Sequence, residues 1–233
     1  MHNIVSSYPK LFAKLISLRK QPNFEKILYL KSINKGDVVF DVGANSGYFT
    51  TLFAKLVSSC GEVHAFEPVP ETYSLLLKNT LNKMPNIRPN NLAVGENRGN
   101  AVISYNLNDS EKASLVHSFD SKAKHAEVLV ISLDDYVQEN NIRKIDFVKC
   151  DVEGFELNAL KGMKKTLAMH RPQISIEVTL KDQEKLELIN LLESLGYNTF
   201  RKIEKDFPHY EPKKKTEQQE DYFYLHATSS LST

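Results

Sequence analysis

Asp41, Gly43, Asn45 and Gly47 of DVGANSG, followed by Glu67 of AFEP, combine residue types and spacings that suit a ligand built on a nucleoside. Twenty residues separate Gly47 from Glu67 (67 − 47). The glycine pattern is G-x-x-x-G. A dinucleotide turn instead carries G-x-G-x-x-G and needs its middle glycine so that backbone can approach a pyrophosphate. Asn45 stands at that middle position, and the Asp41 carboxylate would repel a pyrophosphate but attract an ammonium. S-adenosylmethionine has no phosphate and brings an α-ammonium, a carboxylate, a sulfonium, a ribose diol and an adenine. Gly43 and Gly47 would let the chain turn tightly beneath its methionine portion. Free N–H groups at a helix N-terminus near 46–47 would meet its carboxylate, and the two oxygens of Glu67 would accept both ribose hydroxyls. A bare tight turn with a solvated Glu67 leaves two acids at adjacent strand ends without a purpose.

A second set lies in IDFVKCDVEGFELNALKGM, where Asp151 and Glu153 follow an apolar run. Acids at i and i+2 of extended chain point the same way. Glu177 ends QISIEV; if that strand neighbours the first, three carboxylates meet at the sheet edge where open α/β folds bind ligands. An alcohol is a poor nucleophile until its proton is removed, so Asp151, Glu153 and Glu177 are candidates for the base. Clustered like charges would raise at least one of their pKa values into a useful range. The same oxygens would suit Mg²⁺, but the spacing requires no histidine or further clustered acid, so the carboxylate base is preferred and no metal ligands are assigned. Two plainer roles compete: Glu153 as an organiser of the turn backbone, and Glu177 as a partner of Lys149 or Arg171. His209 and His226 read as surface or core residues, and the three lysines at 213–215 as a solvated run.

Elements able to hold these groups alternate along the chain. Val38–Val42 is an apolar, β-branched run without solvent-facing alternation, as expected of a strand buried on both faces. Over 46–57, Phe49, Leu52, Phe53 and Leu56 recur at helical spacing. Further strands are expected at Glu62–Phe66, 90–94, 145–150 and Gln173–Val178, and helices at 71–82, 155–167 and 182–195, the last stopped by Gly196. Residues 100–106 alternate like an extra antiparallel strand, 109–124 is polar and reads as a mobile loop, and 128–131 is a short strand. Ser132 is placed to cap the helix of SLDDYV. The pair 197–202 and 221–226 closes the order as an antiparallel β-hairpin, with the charged stretch between them read as a solvated loop. The whole is an α/β, doubly wound, Rossmann-like arrangement. Residues 1–34 form an N-terminal helical segment before a single domain at 35–233. Within that segment Leu11, Leu15 and Leu18, with Phe12 beside them, form the face expected to pack on the domain or on a partner.

Charged residues are 25% and hydrophobic ones 41% of the 233, and the net charge of +1 gives no global field toward nucleic acid or acidic membrane. No apolar run approaches the ~20 residues of a membrane span. Lysines and Arg19 interrupt the N-terminus where an export signal would be apolar. Cys60 and Cys150 form no C-x-x-C and no disulfide framework, so a reducing, cytoplasmic setting is expected.

DVGANSGYFT, AFEP, SLDDYV, IDFVKCDVEGFELNALKGM and PQISIEV, in this order, resemble the FkbM family of S-adenosylmethionine-dependent methyltransferases. The likeness runs from about residue 35 to 178, and D-V-E-G-x-E-x-x-x-L-x-G is its most distinctive part. It implies a methyltransferase fold with a mostly parallel seven-stranded sheet. It also implies that Asp41, Gly43, Asn45 and Gly47 serve the methionine portion, Glu67 the ribose, and Ala93 and Val94 the adenine, with Ala44, Tyr48 and Pro68 also among the cofactor-binding residues. Members resembling this chain methylate hydroxyls on sugars, polyketides or related small molecules, so a small-molecule or glycan acceptor is expected. The rival readings are an NAD-dependent oxidoreductase, a relative that binds the cofactor without turnover, and a methyltransferase acting on RNA or protein, of which the neutral charge makes RNA the poorer acceptor.

Overall fold

The computed structural model describes residues 8–17, 23–81, 84–106, 109–114, 123–178, 182–203 and 220–225. Two helices come first, α1 (Pro9–Ser17) and α2 (Phe24–Ser32). Asn23 caps α2 by accepting from the Lys26 amide at 2.6 Å. Strand β1 (Val38–Val42), helix α3 (Tyr48–Val57), strand β2 (Glu62–Phe66), helix α4 (Pro70–Thr80) and strand β3 (Ile87–Asn90) then follow. Pro70 at the first turn of α4 sits where its missing N–H costs nothing.

Strands β8 (Phe147–Cys150) and β9 (Gln173–Val178) lie on the other side of β1. The terminal pair β10 (Thr199–Lys202) and β11 (Glu220–Leu225) is antiparallel, and β11 inserts against β9. The seven strands are ordered β10-β11-β9-β8-β1-β2-β3, and only β11 opposes the rest. From β1 the chain winds outward through β2 and β3, then returns to build β8 and β9 on the opposite flank. The β1/β8 boundary is therefore the topological switch point, where the loops leaving two parallel neighbours diverge and open a crevice.

Alternation along the strands feeds two hydrophobic clusters. On one face lie Phe40, Val42, Val148, Cys150, Ile174 and Ile176. On the other, Val39 and Phe147 pack with Phe53 of α3 and with Ile27, Leu28, Tyr29 and Leu30 of α2. The Tyr29 ring meets Phe49, Phe53 and Phe147 edge-on at 5.0, 4.9 and 5.6 Å. Helix α2 thus shares the core of β1 and α3.

Four local expectations change. The third central strand is β3, and 93–94 leaves the sheet as β4 (Ala93–Val94), pairing instead with β7 (Lys124–Ile131). Asn91 turns the chain away by donating to the carbonyls of Glu67 and Pro68 at 2.8 and 2.9 Å. Part of the expected loop 109–124 is strand β6 (Asp109–Ser114), completing a four-stranded sheet ordered β4-β7-β5-β6 with β5 (Gly99–Asn106). A polar edge strand needs only backbone pairing, which composition does not register; residues 115–122 lie outside the described residues.

The expected helix 155–167 is two, α6 (Glu156–Lys161) and α7 (Lys164–His170). A Cβ at Gly162 would overlap the carbonyl of Gly95 leaving β4, so the chain breaks there. Between β7 and β8 runs α5 (Leu133–Glu139), and Ser132 caps it as expected, accepting from Asp135 N. The Asp134 carboxylate of α5 accepts from the amides of Lys165 and Thr166 and starts α7. In α1 the buried residues are Ala13 and Ile16, with Phe12 half-buried, whereas Leu11 is exposed. Leu11 thus lies off the packed face while Phe12 lies on it; the Leu15 side chain and Leu18 are outside the described residues, as are 204–219 and His226. Helix α8 (Asp182–Ser194) ends at Gly196, which is left-handed at φ 89°.

Candidate active site

Register lines up two tiers of polar side chains across β1, β8 and β9. In the lower tier Asp41 faces Lys149 and Lys149 faces Ser175. One step toward the strand ends, Asp151 and Glu177 follow Cys150 and Ile176, which are themselves paired. The lower tier points to the α2/α3 side and is buried: Asp41 is 0%, Lys149 4% and Ser175 4% exposed. The Asp41 Oδ2 accepts from Thr50 Oγ1 of α3 at 2.6 Å. Burial pushes the Asp41 carboxyl up, opposed by Lys149 and by the Thr50 bond. Tyr29 donates to Glu25 and lies 3.2 Å from Ser175 Oγ, so α2 closes the tier from above.

Lys149 joins the tiers. Its Nζ lies 2.7 Å from Asp151 Oδ2 and 5.5 Å from the centre of the Phe49 ring. Burial works against its charge, yet Asp151, Asp41 and Glu25 outweigh it and raise its pKa. Burial likewise pushes the Asp151 carboxyl up, but the Lys149 charge and hydrogen bonds from Glu177 and Lys149 hold it below the usual carboxylate range. Asp151, Glu153 and Glu177 do converge, with one carboxylate oxygen from each within 4.8 Å of the others.

At the switch point lies a cavity of about 110 Å³. Gly43 and Asn45 after β1, Glu67 and Pro68 after β2, and Asp151, Val152, Glu153 and Phe155 after β8 contribute walls. Leu92, Ala93, Val94 and Ile103 form an apolar side. Small-molecule sites usually run ~300–1,000 Å³, so this cavity has room for only one portion of such a ligand. Gly43 is required by a contact: a Cβ there would overlap the carbonyl oxygen of Asp151, so the β1 and β8 loops touch backbone to backbone. Both rims carry non-glycine residues in the left-handed region, Asn45 at φ 50° and Glu153 at φ 51°, a strain that persists only where surroundings impose it.

Glu67 ties the rim together. It is 6% exposed; Oε2 accepts from the Asn45 amide and Oε1 from the Val69 amide, each at 2.9 Å. Burial pushes its carboxyl up to about 7 against those two bonds. A carboxylate oxygen has two lone pairs, so each Glu67 oxygen keeps acceptor capacity toward the cavity it lines.

Other residues expected at the site lie elsewhere. Asp41 does not line the cavity; the ammonium near it is the chain's own Lys149. Ala44 is buried with its amide on the Phe66 carbonyl at 2.9 Å. Gly47, left-handed at φ 89°, packs against Leu76 of α4. Tyr48 is exposed beside Lys26, and Glu177, whose carboxylate meets those of Asp151 and Glu153, is off the cavity lining. Two roles escaped the sequence reading. Lys149 is taken there only as a possible partner of Glu177, although a lysine within an apolar run marks a buried charge that needs acids around it. Glu156, the second acid of EGFE, is fully buried and accepts from the Gly154 amide at 2.9 Å.

Residues 41–199 match the FkbM methyltransferase domain. The chain belongs to the FkbM methyltransferase family. Among curated relatives, the hexuronic acid methyltransferase AglP of Haloferax volcanii is 33% identical over 145 residues, covering 60% of this chain and 55% of AglP. The 31-O-demethyl-FK506 methyltransferase FkbM of Streptomyces tacrolimicus is 28% identical over 193 residues, covering 71% and 74%. This FkbM-family chain thus spans about half the length of the archaeal relative. An FkbM methyltransferase structure from Methylobacillus flagellatus superposes with a TM-score of 0.55 at 16% identity, covering 96% of this chain and 60% of that one, a likeness of fold. The oxidoreductase alternative finds no support among these relatives.

Proposed function

We propose that this chain transfers the methyl group of S-adenosylmethionine to a hydroxyl on a sugar, glycan or other small molecule. The observation that carries the reading is the shared cavity. A buried carboxylate with spare acceptor capacity, Glu67, faces it from β2, and two acids, Asp151 and Glu153, face it from the switch-point neighbour β8. Glu67 would hold the ribose hydroxyls, and Leu92, Ala93, Val94 and Ile103 would cover the adenine. When bound, the donor supplies an electrophilic methyl on a sulfonium. The chain's own task is alignment and removal of the acceptor proton.

Among the three acids, Glu153 is best placed as base. Asp151 is engaged by Lys149 and held low, which weakens it as a proton acceptor, and Glu177 stands off the lining. A proton passing from the acceptor hydroxyl to a Glu153 oxygen leaves the alkoxide that forms the new C–O bond as the C–S bond breaks. Mg²⁺ among the same acids is disfavoured, because an ammonium already lies against Asp151. A small-molecule or glycan acceptor accords with the two relatives, one named for hexuronic acid and the other for an FK506 precursor. Nothing in the net charge of +1 favours nucleic acid, and no described helix is long and apolar enough to cross a membrane. Two free cysteines among the described residues accord with a cytoplasmic setting.

The test has two arms. Calorimetric titration with S-adenosylhomocysteine should give a saturable isotherm, and titration with NAD none. Incubation with methyl-labelled donor and a fraction of neutral glycans and hydroxylated metabolites should move label into an ether linkage, unaffected by a chelator. Binding of NAD in place of the homocysteine compound ends the cofactor assignment, and loss of transfer on chelation replaces the carboxylate base by a metal.

A further inference from the structure

The turn that carries Glu153 is held in an unfavourable shape. Glu153 and Gly154 are consecutive left-handed residues at φ 51° and 94°. Glycine adopts that region freely, whereas a glutamate there is strained. Val152, Glu153 and Phe155 of this short stretch all line the cavity, so its backbone shape sets one wall of the site. Beneath it sits Glu156, the first residue of α6, with 0% exposure. One carboxylate oxygen accepts from the Gly154 amide at 2.9 Å, while the other is buried without a hydrogen-bond partner. A carboxylate at this depth is costly compared with an apolar group of the same volume, so core packing alone does not account for it.

We propose that Glu156 is the positioning residue of the site: by accepting the Gly154 amide it fixes the left-handed Glu153–Gly154 pair and so directs Glu153 and the Val152/Phe155 wall at the bound donor. Glu156 is not on the cavity lining. It acts through backbone, and its loss would let the turn relax toward right-handed φ, turning Glu153 away. The inference rests on the assignment of Glu153 as base, but its main readouts need neither the acceptor nor turnover.

The experiment compares full-length wild type with Glu156→Met, which keeps bulk without an acceptor, and Glu156→Gln, which keeps an oxygen for the Gly154 amide. Glu156→Asp, withdrawn by one methylene, substitutes where the methionine variant is too unstable to purify. Hydrogen exchange at Gly154 should accelerate at least about tenfold in Glu156→Met or Glu156→Asp while amides of β1 and β8 keep their protection. Affinity for S-adenosylhomocysteine should fall severalfold in the same variants, and Glu156→Gln should recover most of both. Unchanged exchange and affinity overturn the proposal. So does a uniform loss of protection across all strands, which would make Glu156 an ordinary core group. A Glu153→Gln chain with wild-type turnover would instead remove the base assignment and leave these readouts standing.

Discussion

At the scale of single residues, the role proposed for Glu67, accepting two ribose hydroxyls, calls for an ionised carboxylate, yet burial pushes its carboxyl up to about 7. Donor affinity should therefore depend on pH where ordinary carboxylates have long since titrated. Binding of S-adenosylhomocysteine, followed by calorimetry, should tighten as pH rises from about 6 to 8, because a single group titrating near 7 controls it. Glu67→Gln should flatten that profile and weaken binding about 10- to 100-fold, the worth of a charged hydrogen bond at ~1.5–3 kcal/mol. A retained pH dependence in the variant would move the titration to another group. Glu153 and Asp151 should separate by a different criterion. Glu153→Gln should keep the affinity and lose about 10²–10⁴ in turnover, as expected of a general base. Asp151→Asn should instead lose stability, since Lys149 is left as a buried ammonium without its nearest partner, a change of ~3–5 kcal/mol visible in thermal unfolding.

Elements position these residues by two devices, backbone contact between loops and a helix laid over the buried tier. Helix α2 precedes residues 41–199, the part that matches the family, yet its Tyr29 reaches Ser175 on β9 and its Glu25 acts on Lys149. Tyr29→Phe keeps the three edge-on ring contacts and removes only the hydroxyl. It should cost ~1–2 kcal/mol, while Tyr29→Ala should cost ~3–5, both read from denaturant unfolding. Equal costs would mean that the hydroxyl is as important as the ring. The elements legible in the sequence are those whose pattern is set by burial: β1, β2 and β9, buried along most of their length, and α3, with its stripe at helical spacing. Elements set by pairing were not. Strand β6 is polar, β4 has two residues, and both exist because β5 and β7 offer them backbone partners. The same division holds at the site. Glu67, Asp151 and Glu153 border the cavity, as their places after buried strands lead one to expect, whereas Asp41 does not. Whether an acid near a strand end faces the crevice or the layer beneath depends on strand parity against the whole core, and on β1 that parity places Val39 and Asp41 on the α2/α3 side.

Taken as one molecule, the fold stores part of its stability as protonation. Glu67 and Glu156 are both pushed up to about 7 from 4.5, in each case chiefly by burial and against hydrogen bonds from backbone amides. A raised folded-state pKa means that the native chain binds more protons than the unfolded one between those values. The stability contributed by each is therefore full below about 4.5 and is lost as pH rises through about 7. The shift of roughly 2.5 units corresponds to ~3 kcal/mol per group at most. Asp151, held low, acts with the opposite sign but only below its ordinary value near 3.8, outside this window. His64 and His170, both lowered mainly by burial, oppose this slope, because their contribution to native stability grows as pH rises toward about 6.5 and is constant above it. The ligand-free protein should accordingly melt at higher temperature near pH 5.5 than near pH 8. Glu67→Gln combined with Glu156→Gln should raise the melting temperature at pH 8 and remove most of the difference. Both carboxyls then ionise close to neutral pH, one lining the cavity and one beneath the turn that borders it. A melting temperature independent of pH over that range in the wild type would show that neither carboxyl is held near 7.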